Sequence, residues 1–87
     1  MTSQYPEADI AWSAQHFAMM ADGGVWGIPR SGLIFTKRGR KLVLTNRMPW
    51  QEGMSITPEQ LREQQDSDYN GIAARFRAAG ITVEDEA

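Results

Sequence analysis

The sequence predicts an α+β domain with the element order α-β-β-β-α: a three-stranded antiparallel meander with two helices packed on one face. Three observations carry this. Apolar residues recur at helical spacing over 7–22 and again over 58–79. Between them, over 25–48, the period switches to two. Glycine- and proline-bearing turns separate the segments. A chain of 87 residues has room for one domain, read here as 1–87.

The first helix is expected over 7–22. Ile10, Ala14, Phe17 and Ala21 form its apolar stripe, flanked by Trp12, His16 and Met19 or Met20. Pro6 suits the first turn, and Glu7 and Asp9 suit the positive end of the helix dipole. Gly23-Gly24 stops the helix. Strands follow at about 24–29, 32–37 and 41–48, joined by the turns Pro29-Arg30-Ser31-Gly32 and Lys37-Arg38-Gly39-Arg40. A four-residue loop at 29–32 pairs Trp26 with Phe35 and Ile28 with Leu33. A two-residue loop at Arg38-Gly39 pairs Phe35 with Leu42 and Leu33 with Leu44. Partners across a ladder share a face. Both turns therefore put Trp26, Ile28, Leu33, Phe35, Leu42 and Leu44 on one side. Val25, Gly27, Ile34, Thr36, Lys41, Val43 and Thr45 fall on the other.

The second helix, over 58–79, has the clearest start. Thr57 is an N-cap, Pro58 takes the first helical position, and Gln60 completes a capping box. Ile56 and Leu61 are spaced as a hydrophobic staple. Its inward stripe is Leu61, Tyr69, Ile72, Ala73 and Phe76, with Gln65 in the remaining slot. Asn70-Gly71 is a weak point where the helix could kink. Gly80 caps the end, with Ile81 placed to touch Phe76. Residues 84–87 are expected to fray. The predicted core is the six inward strand residues with Ile10, Phe17, Leu61, Tyr69, Ile72 and Phe76.

The absence of cysteine excludes disulfides, thiolate metal sites and cysteine nucleophiles. No apolar run reaches the ~18 residues of a membrane span, and MTSQYPEADI is not built like a secretion signal. A cytoplasmic location is the expectation. The net charge of −2 conceals a partition. Residues 1–22 carry −3, residues 23–51 carry +6 with no acid, and residues 52–87 carry −5. The middle of the chain is a basic block between acidic flanks.

Catalytic signals are weak. Ser13 and His16 lie three apart on one helix, but no acid stands three or four residues from His16 to orient it. Glu59/Glu63 and Asp66/Asp68 lack a metal-binding histidine and read as a solvated helix face. The glycines at 23, 24 and 27 make no phosphate-binding loop. No enzyme activity, cofactor or metal is expected. Two binding classes remain. A protein partner or second copy could cover the outer sheet face through Val25, Ile34, Thr36, Val43 and Thr45, an apolar, β-branched set. A nucleic acid or other anion could instead meet Arg30, Lys37, Arg38, Arg40, Lys41 and Arg47, with Trp50 free to stack.

The α-β-β-β-α order resembles that of double-stranded RNA-binding domains. The motifs differ. The second helix starts TPEQLREQQ rather than with lysines, and the first strand loop is PRSG without a histidine. No RNA-binding residue carries over. In length, lack of cysteine and an Ala/Arg/Gly-leaning composition, the chain resembles small accessory proteins of phages of high-GC, actinobacterial hosts. That resemblance implies a small cytoplasmic protein that binds a host protein. The leading expectation is a non-enzymatic interaction module that binds a host protein or forms a homodimer through its outer sheet face, with no membrane association. The nucleic-acid reading is the alternative.

Overall fold

The computed structural model describes residues 5–87. The elements are α1 (Glu7–Met19), β1 (Val25–Ile28), β2 (Leu33–Arg38), β3 (Lys41–Arg47), α2 (Pro58–Ala78) and β4 (Thr82–Asp85). The chain is α+β as the patterning predicts, but the sheet is mixed, and among the described residues it has four strands in the order β1-β2-β3-β4. β4 runs parallel to β3, pairing Lys41 with Thr82 through Leu44 with Asp85. The expected frayed tail at 84–87 is therefore corrected: residues 84 and 85 are strand, and the Glu86 N–H donates to the Leu44 carbonyl at 2.9 Å. The extra strand also takes the chain away from the α-β-β-β-α layout of double-stranded RNA-binding domains.

β1 and β2 pair in the predicted register, with Trp26 opposite Phe35 and Ile28 opposite Leu33. β2 and β3 do not. Phe35 faces Leu44, not Leu42, and Arg38 faces Lys41 across a Gly39-Arg40 turn. The reason is backbone sterics. Gly39 has φ +62°, and as the first turn residue it alone takes the left-handed conformation. A turn at Arg38-Gly39 would have put Arg38 there. The slip is two residues, so the faces survive. Between Ile34 and Phe35 the ladder shifts by one, which brings Arg47 opposite Leu33 on the inner face.

The core forms between that face and the helices. Leu33, Phe35, Leu42, Leu44, Ala73, Phe76 and Val83 are buried, with Phe17, Met20, Trp26, Ile28, Tyr69, Ile72 and Ile81 packed around them. α2 follows its sequence signals closely. The Gln60 N–H donates to Thr57 Oγ1 at 3.1 Å, and the Thr57 N–H to Gln60 Oε1 at 2.9 Å. Leu61 of the staple is buried. At the other end, with Gly80 at φ +85°, the Ile81 N–H reaches the Phe76 carbonyl and the Gly80 N–H that of Arg77. The helix continues through Asn70-Gly71.

α1 departs further from expectation. It ends at Met19, and Ala14 and Ala21 of the predicted stripe are exposed. Its one fully buried residue is Ser13, whose hydroxyl donates back to the Asp9 carbonyl at 3.0 Å. Lys37 explains the early stop. Its ammonium donates to the Phe17 and Met20 carbonyls at 2.8 and 3.0 Å and lies 4.4 Å from the Phe17 ring centre. A cation on the last carbonyls satisfies them and complements the negative end of the dipole.

Candidate functional site

The outer sheet face is where sequence reasoning places a partner. Val25 is 69% exposed there, whereas Val43 is only 1% exposed. The register accounts for Val43. Arg38 lies one row to one side of it on β2, and Glu86 one row to the other side at the end of β4. Their ion pair at 2.7 Å thus passes over β3 at Val43, and Lys41–Glu84 at 3.2 Å lies alongside. Ile34 pairs with Gly27 and Asn46, so Val25, Ile34 and Val43 do not form one row across the strands. Thr36 and Thr45 are half-buried, with their hydroxyls 2.9 Å apart.

The basic block turns largely onto the chain's own acids and carbonyls. Arg30 pairs with Asp68, Arg38 with Glu86 and Lys41 with Glu84, while Lys37 caps α1. Arg47 Nη1 donates to Asp66 at 2.9 Å and Nη2 to Asp85 at 2.6 Å, joining β3 to α2 and β4. Burial works against the Arg47 charge, but the hydrogen bonds and the field of Asp66 and Asp85 outweigh it. The guanidinium pKa is raised above its ordinary value. Among the described residues only Arg40 of the six lacks an ion-pair or hydrogen-bond partner. Trp50 is 38% exposed and donates its indole N–H to the Ile56 carbonyl at 2.8 Å. His16 and Ser13 do not meet as a catalytic pair: Ser13 bonds to backbone, and His16 stacks on Trp12 with ring centres 4.8 Å apart.

A different surface gathers residues that the sequence reading assigned to the core, together with Trp12, which it placed at the flank of the first helical stripe. Trp12, Trp26, Ile28, Ile72 and Phe76 line a cleft of about 540 Å³ between α1, β1 and α2. The rings touch one another: Trp26–Phe76 at 5.7 Å, Trp12–Trp26 at 6.0 Å and Trp12–Phe76 at 6.3 Å. Trp12 is nevertheless 48% exposed. Gly71 leaves the α2 wall without a side chain, and a Cβ built there meets nothing within 4 Å. Arg30, Asp68 and Arg75 supply the polar rim. The cleft opens beside β1, a sheet edge that no further strand covers among the described residues. Sequence periodicity could place Trp26, Ile72 and Phe76 on inward faces. The predicted meander already makes β1 an edge strand, as it is here, but periodicity could not show that the helices leave a cleft beside its inward face.

Among the described residues, no group of three His, Asp or Glu side chains is placed to hold a metal ion. No described helix is long and apolar enough to cross a membrane. No family model, curated protein or solved structure matches this chain.

Proposed function

We propose that the chain is a non-enzymatic protein-interaction module whose contact surface is the aromatic cleft together with the uncovered β1 edge. The observation that carries this is the half-exposed Trp12 above a cleft lined by Trp26 and Phe76, at the border of an open edge. Large aromatic side chains offer much contact area at little entropic cost, which makes them the usual anchors of protein interfaces. An open edge adds main-chain hydrogen bonds to that anchor. The likeness in size and composition to small phage accessory proteins agrees with a binding role.

The test is site-specific photo-cross-linking in cells that make the protein. A photoreactive residue at position 25, on the β1 edge, should trap a protein adduct. The same residue at position 82, on the β4 edge, should trap none. Adducts at 82 alone, or at both edges equally, would move the contact surface elsewhere.

A further inference from the structure

We infer that the strand occupying this edge is β1 of a second copy, paired antiparallel about a two-fold axis at Trp26. The inference rests on the proposed contact surface and names its partner.

The hydrogen-bond phase of β1 comes first. The Lys37 N–H donates to the Gly24 carbonyl at 2.9 Å, and the Gly32 N–H to the Ile28 carbonyl at 2.8 Å. Along an antiparallel ladder, residues alternate between facing the partner strand and facing away. Gly24 thus turns its carbonyl to β2 and Ile28 its carbonyl into the β1–β2 hairpin, and by alternation Trp26 faces β2 as well. Val25 and Gly27 turn theirs outward, and both residues are exposed.

Second, the two sheet edges are managed differently. β4 carries Glu84 and Asp85, and the Arg77 guanidinium donates to its Val83 carbonyl at 2.8 Å. Charges and side-chain caps of this kind block edge pairing. β1 reads VWGI, with no charge, no proline and no bulge within it. It is an edge without a guard.

Third, the strand is complementary to itself. With the axis at Trp26, Val25 lies opposite Gly27 of the second copy, and Gly27 opposite its Val25. All four outward backbone groups of Val25 and Gly27 are then paired. On the outer face, the Val25 side chain fills the space that Gly27 of the other copy leaves empty. On the inner face the two Trp26 side chains meet, and the two Trp12-lined clefts face each other across the axis. Like charges are absent from the seam, so nothing opposes the pairing electrostatically. A four-residue ladder is short by itself. The indoles of Trp12 and Trp26 supply the apolar area that the ladder lacks.

Light scattering on the purified chain should give twice the 9.8 kDa chain mass. Val25→Lys and Gly27→Pro should give the single-chain mass with an unchanged circular dichroism spectrum. Gly27→Pro removes an N–H that β2 does not use. If it fails to fold, the solvent-facing Val25→Lys decides. Thr82→Lys on the β4 edge should remain dimeric. In the wild type, the amide protons of Val25 and Gly27 should exchange slowly, and in Val25→Lys quickly. A wild type that is monomeric up to its solubility limit overturns the inference, as does a folded Val25→Lys that stays dimeric. Such a monomer that still cross-links another protein through position 25 refutes self-pairing alone. One that cross-links nothing refutes the contact surface as well.

Discussion

Gln65 occupies the slot of the α2 stripe where helical spacing asks for an apolar side chain. It is 5% exposed, and its amide donates at 2.9 Å to both the Ser31 and the Met48 carbonyls. One side chain thus ties the β1–β2 turn and the end of β3 to the helix. Gln65→Leu keeps the volume and strands two carbonyls. It should cost about 1–3 kcal/mol of stability in urea denaturation. Arg47 makes a comparable tie through Asp66 and Asp85, although those carboxylates are partly solvated. Arg47→Met should lower stability by about 1–2 kcal/mol once solvent screening is allowed for. Because the Arg47 pKa is raised, its stabilisation is complete below the ordinary arginine range and is lost only as pH rises through the still higher folded value. Its own titration therefore leaves neutral and acidic pH untouched. Sequence spacing identified Gln65 and the cations as residues of interest. Their partners lie 17 to 48 residues away, beyond the reach of local patterns.

At the level of elements, α2 was readable because its signals are local. The cap, the staple and the Gly80 stop all act within a few residues; the cap and the stop are formed as read, and Leu61 of the staple is buried. Thr57→Ala should destabilise by about 1 kcal/mol in thermal unfolding. β4 was unreadable for the opposite reason. Of its four residues only Val83 is buried, and the sequence around it is acidic. What makes it a strand is the exposed side of β3 and the cations that receive Glu84, Asp85 and Glu86. Gly71 links an element to the site. Mid-helix glycine is about 1 kcal/mol less favourable than alanine, and space for a methyl group exists. Gly71→Ala should therefore raise the melting temperature. A larger Gly71→Leu should crowd the cleft and weaken association in light scattering without unfolding the helix.

Across the whole molecule, the −3/+6/−5 partition becomes an internal complementarity. The acidic last third folds back over the basic middle third, through Asp66, Asp68, Glu84, Asp85 and Glu86. Most of these pairs are solvent-exposed, so added salt should lower the melting temperature only slightly. Dimer formation at the uncharged β1 seam should be insensitive to the same salt. The fold class and the two faces of the meander were legible because a two-residue slip preserves side-chain orientation. The cleft was not, because it depends on how α1 and α2 cover the inner face beside β1. The parallel β3–β4 pair also dictates an order of assembly. The two hairpins join neighbouring segments and can form within microseconds. Lys41 must wait for Thr82, forty-one positions later, and for the whole of α2 to be laid down between them. Closure of the sheet at β4 is therefore expected to be the late kinetic event. Until it occurs, the nascent domain exposes a second open edge, β3, guarded only by Lys41 and Arg47 near its ends, and the arriving EDE segment both completes the sheet and closes that edge.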